Sequence, residues 1–107
     1  MLHSFLLITH YSLLITYSAN PNYAYTWHGR GSALCELGKH QEAIASFDKA
    51  LKIQPDFTYA WNYRGWALEN LKRYNEALKS YEKAIQFDSN NRSAIDNRKR
   101  LLKKPRR

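Results

Sequence analysis

Slid against itself by 34 residues, the chain repeats. Residues 24–57 lie over residues 58–91 with twelve identities in the 34 positions. Tyr25, Trp27, Arg30 and Gly31 meet Tyr59, Trp61, Arg64 and Gly65. Ala33, Leu34 and Leu37 meet Ala67, Leu68 and Leu71, and Glu42, Ala43, Ser46, Lys49 and Ala50 meet Glu76, Ala77, Ser80, Lys83 and Ala84. His40/Tyr74, Ile44/Leu78, Phe47/Tyr81 and Leu51/Ile85 are conservative pairs. A unit this short cannot bury its apolar face alone. Tandem copies bury it by stacking, so a period of this length constrains the fold to a repeat array.

Inside each copy the spacing is helical. Trp27, Gly31 and Leu34 fall at i, i+4 and i+7. Ala43, Phe47 and Ala50 repeat that interval, as do Ala77, Tyr81 and Ala84, so each set lies along one helix face. Gly38 separates the halves of the first copy, where a tight turn is required. Pro55 ends its second half, because proline lacks the N–H and disfavours helix in the residue before it. Each copy therefore reads as helix, short turn, helix. Gly31 and Gly65 stand in mid-helix, where glycine costs about 1 kcal/mol relative to alanine. That cost is offset if a neighbouring helix must come close, with Ala43, Ala50, Ala77 and Ala84 facing it and Trp27, Trp61, Phe47 and Tyr81 filling the space around the contact.

WHGRGSAL…EAIASFDKAL…P and WNYRGWAL…EALKSYEKAI resemble tetratricopeptide repeats. The resemblance covers residues 24–91, and the family's Trp, Gly, Ala, aromatic and Ala stand at its offsets in both copies. It implies an all-α fold: a short α-solenoid of antiparallel helix pairs, with repeats at 24–57 and 58–91. It also implies a concave groove, lined by the first helices, that binds a peptide or partner helix. The groove positions are then Tyr25, His28 and Ser32, then Tyr59, Asn62, Tyr63 and Trp66, then Asp96 and Arg100. Tyr and Trp are suited to such a surface because they dominate binding hot spots. Ser89 stands where the family usually has proline, and Arg30 and Arg64 replace its more usual leucine. One subset of the family clamps a C-terminal carboxylate with Lys and Asn at fixed offsets. Here those offsets hold His28, Ser32, Tyr63, Ser93 and Asn97, so the resemblance does not extend to that specificity.

The flanks are read differently. A third copy starts at Arg92, and residues 92–104 read as one capping helix with Ile95, Leu101 and Leu102 apolar and Asn90 or Asn91 as N-cap. Pro105 ends it, leaving 105–107 as a basic tail. Residues 1–23 carry no Asp, Glu, Lys or Arg. Residues 4–17 fall where a preceding second helix would lie, which makes them a degenerate cap. A signal peptide is the alternative, although no positive charge precedes the apolar run. A membrane span would have to include His3, His10, Tyr11 and several hydroxyls. The expected compartment is the cytoplasm, or the exported or membrane-bound state if residues 1–19 act as signal or anchor. An apolar N-terminal end would also favour self-association.

The formal charge of +8 is local. Residues 24–91 hold nine basic and eight acidic residues, whereas 92–107 hold eight basic residues against Asp96. The second functional reading is therefore nucleic-acid or anionic-membrane association through Arg98, Lys99, Arg100, Lys103, Lys104, Arg106 and Arg107, which would weaken steeply with salt. Catalysis is not expected. There is no phosphate-loop pattern, Gly29-Arg30-Gly31 lacks the third glycine of a dinucleotide fingerprint, and no Ser/His/Asp set is apparent. His3, His10, His28 and His40 have no metal spacing, and Cys35 alone makes neither a disulfide nor a cysteine zinc site. No cofactor is expected.

Overall fold

The computed structural model describes residues 23–105, and these residues form five helices and no strand. They are α1 (Ala24–Glu36), α2 (His40–Ile53), α3 (Thr58–Asn70), α4 (Tyr74–Phe87) and α5 (Arg92–Leu102). The pairs α1/α2 and α3/α4 are antiparallel hairpins, and α2 packs on α3 and α4 on α5 across the junctions. The first helices α1, α3 and α5 also touch in sequence and form one face of the stack. The segment expected to cap the first repeat, residues 4–17, lies outside the described residues, as do Arg106 and Arg107.

The hairpin turns are built alike. The N–H of Lys39 donates to the Leu34 carbonyl at 2.8 Å and that of Gly38 to the Cys35 carbonyl at 3.0 Å. In the second copy Arg73 donates to Leu68 and Lys72 to Glu69, each at 2.9 Å. This crossed pair of bonds is the Schellman closure, and it requires a left-handed residue just past the helix end. Gly38 adopts it at φ 78°, and Lys72 adopts it at φ 62° despite its side chain. The four first helices have no side-chain N-cap, whereas Asn91 accepts from the Ala94 N–H at 3.1 Å and caps α5.

Phe47 and Tyr81 are fully buried, with Ala43, Ala50, Ala77 and Ala84 around them. Each ring lies flat against the glycine of its own hairpin. A Cβ on Gly31 would stand 2.6 Å from the Phe47 ring, and one on Gly65 2.6 Å from the Tyr81 ring. The mid-helix glycines thus buy helix-to-helix approach. Arg30 and Arg64, at the family's leucine position, both turn to the second helix of their hairpin. Arg30 donates to the buried Ser46 hydroxyl, and Arg64 donates to the Ser80 hydroxyl at 2.7 Å and to Asp48 at 2.7 Å. A repeated Arg–Ser bond therefore takes the place of an apolar contact, and the buried hydroxyls are satisfied.

Helix α5 differs from the expectation at its end. Ala94 and Leu101 are buried, Ile95 is half-buried, and Leu102 is 48% exposed rather than packed. The helix stops at Leu102, so Lys103 and Lys104 lie beyond it. Lys99, at the glycine position of the register, is exposed.

Candidate functional site: the groove of the first helices

One face of α1, α3 and α5 encloses a cleft of about 430 Å³. From α1 it is lined by Ser32, Cys35 and Glu36, from α3 by Asn62, Tyr63 and Trp66, and from α5 by Ser93 and Asn97. The spacings of three and four residues within these sets (Ser32 to Cys35 and Glu36, Asn62 and Tyr63 to Trp66, Ser93 to Asn97) bring them onto one side of each helix. A smaller cleft of about 240 Å³ adjoins it at Trp66, lined further by Glu69, Asn70, Arg100 and Lys104.

The floor is tied by polar bonds between helices. Asn62 is 4% exposed. Its amide N–H₂ donates to the Ser93 hydroxyl at 3.0 Å, and its carbonyl accepts from Asn97 at 3.0 Å. Asn62 therefore joins α3 to α5, and both ends of its amide are taken. Arg100 donates to the Asn97 carbonyl at 2.8 Å and to the Glu69 carboxylate. Tyr81 also donates to Glu69, at 2.8 Å. Burial acts to raise the Glu69 carboxyl, but these hydrogen bonds and the charges of Arg100 and Lys104 outweigh it and hold the group below its usual range. Burial and the neighbouring Glu69 push the Tyr81 phenol well above its own.

The remaining expected residues divide in two. Tyr59, Tyr63 and Trp66 are exposed large rings, and Trp66 also lies edge-on to His40 at 5.5 Å. Tyr25 is exposed, and its ring lies tilted against Phe57 at 4.9 Å, the residue just before α3. His28 is packed among Phe47, Phe57 and Tyr63, with ring centroids 5.0–5.6 Å away. Its Nδ1 is buried with no hydrogen-bond partner among the described residues, and burial lowers its pKa from 6.5 to about 4. It is a neutral wedge beneath Tyr63. Cys35 and Glu36 escaped the sequence reading, although their i+3 and i+4 spacing from Ser32 places them on its face. Burial, helped by Glu36, raises the Cys35 thiol to about 11, so it is protonated at neutral pH.

The basic patch is partly neutralised where it is described. Arg98 pairs with Glu82 at 3.3 Å, Arg100 with Glu69, and Lys104 lies 3.9 Å from Glu69 and over the Tyr74 ring. Lys99 and Lys103 are exposed. Among the described residues there is no cluster of three metal-ligating side chains and no helix long and apolar enough to cross a membrane.

The family model described as "Tetratricopeptide repeat" matches residues 17–92. The chain belongs to this family. The tetratricopeptide-repeat domain of Arabidopsis OM64 is 27% identical, covers 96% of this chain and 85% of its own, and superposes with a TM-score of 0.88. The first such domain of Spaghetti (RPAP3), bound to the HSP90 peptide SRMEEVD, is 26% identical over 84% of this chain and 71% of its own, with a TM-score of 0.80. The TPR2B domain of yeast Sti1, solved as a complex with pHsp70, is 27% identical over 92% of this chain and 81% of its own, with a TM-score of 0.81. No curated protein matches the chain. This tetratricopeptide-repeat chain therefore shares its helical-repeat fold with domains whose structures include peptide complexes.

Proposed function

We propose that the chain is a non-enzymatic protein-interaction module that binds an extended peptide segment of a partner protein along α1, α3 and α5. The observation that carries this reading is the exposed aromatic surface of α3: Tyr63 and Trp66 line the cleft and Tyr59 is exposed on the same helix, beside a floor where the Asn62 amide is already bonded. A ligand backbone laid across those rings would bury apolar area without breaking the floor. The complex of the similar first RPAP3 domain with an HSP90 peptide supports a peptide ligand.

The basic C-terminal surface is the weaker reading. Three of its described cations are held by Glu69 and Glu82, which reduces the charge available for counterion release.

The test is partner capture with the full chain and with Tyr59→Ala/Trp66→Ala, each first matched for helical content. The expected result is a set of partners lost only with the double variant, and a capture insensitive to moderate salt. Retention of every partner by the double variant would move the site off this groove. Partners stripped by salt alone would favour the basic surface.

A further inference from the structure

Glu36 is the only ionisable carboxylate or cation among the eight residues around the larger cleft. Among the described residues no Lys, Arg or His stands within ion-pair distance of it. It is also the last residue of α1. The C-terminal end of a helix carries partial negative charge, so an unpaired carboxylate there is disfavoured. Copy two resolves the same place differently: Asn70 stands there and donates to the Trp66 carbonyl at 2.8 Å. The acid of copy one has no such internal use.

The surroundings suit a cation. The rings of Tyr63 and Trp66 line the same cleft and are exposed. An ammonium or guanidinium over such a face is attracted by the ring's negative π-face, more strongly as it is desolvated. Glu36 and the carbonyl end of α1 attract the same charge. The other wall offers no cation to an acid, because Ser32, Ser93 and Asn97 are uncharged and Arg100 is already held by Glu69.

We propose that the groove takes its peptide through a lysine or arginine side chain, seated between the Glu36 carboxylate and the rings of Tyr63 and Trp66. This rests on the peptide-groove reading above and names the chemistry of its ligand. The chain as a whole carries +8, so non-specific electrostatics would favour acidic peptides. A preference for a cation is therefore diagnostic of the local site.

The test uses four libraries of short peptides, N-acetylated and C-amidated, identical but for a central Arg, Lys, Glu or Ala. Each is titrated against the full chain by fluorescence anisotropy. The Arg and Lys libraries are expected to bind about 10-fold more tightly than the Glu library, equivalent to about 1.4 kcal/mol. Glu36→Gln is expected to reduce that preference to within about 2-fold, the residue of the ring contacts alone, while the Ala library binds unchanged. Equal or tighter binding of the Glu library, or a preference that survives Glu36→Gln, would overturn the proposal. If the libraries bind and Tyr59→Ala/Trp66→Ala weakens them without any cation preference, only this inference falls. If no library binds the wild-type chain, the groove reading falls with it.

Discussion

At the scale of single residues, two contacts decide more than their size suggests. Gly65 lies under the buried Tyr81 ring, which has no room to retreat. Gly65→Ala would gain about 1 kcal/mol of helix propensity, but overpacking a tight core costs about 1–3 kcal/mol. The net expectation is destabilisation, read as a lowered urea midpoint with an unchanged m-value. His28 makes the second prediction. Its unfolded pKa is 6.5 and its folded pKa is about 4, because burial disfavours the charged ring. Above pH 6.5 the ring is neutral in both states and its contribution to stability is complete. As pH falls from 6.5 towards 4, the unfolded chain takes up a proton that the folded chain refuses, and stability declines by up to about 3 kcal/mol. Denaturant melts at pH 7 and pH 4.5 should show this loss. His28→Phe should remove most of the difference, the other titrating groups accounting for what remains.

At the scale of elements, the hairpins were legible and the junctions were not. Trp27, Gly31 and Leu34 mark α1 from spacing alone, and Gly38 and Pro55 mark where α1 and α2 stop. Local patterns fix such features. The Asn62–Ser93–Asn97 bonds join residues 31 and 35 positions apart, so they depend on how α3 and α5 cross rather than on any nearby pattern. Leu102 failed for a related reason: its spacing suits burial, but no helix covers that side of α5 among the described residues. The Arg30–Ser46 and Arg64–Ser80 bonds were half visible, since all four residues recur in register, yet nothing local says that they meet. Two predictions belong here. Lys72→Gly should stabilise the second turn by about 0.5–1 kcal/mol, since a left-handed non-glycine residue carries backbone strain that glycine lacks. Asn91→Ala should cost about 1–2 kcal/mol, because it removes the α5 cap and the 3.0 Å bond to the Thr58 hydroxyl. Thermal melts resolve both, at about 4–8 °C per kcal/mol for a domain this small.

At the scale of the whole molecule, stability is a sum over neighbours. Each helix pair touches only the next, and α5 covers α4 with one helix rather than two. The glycine rule also governs how the stack can grow. In α1 and α3 a vacant Cβ position is what lets an aromatic ring from a second helix lie down. In α5 that position is Lys99, an exposed charged side chain where the first two copies have no Cβ. Lys99 is therefore expected to act as a terminator in the polymer sense: an aromatic ring docking there as on α1 and α3 would have to displace or bury its charged side chain. Lys99→Gly should raise concentration-dependent association in sedimentation runs, with the exposed Leu102 as the surface it would cover.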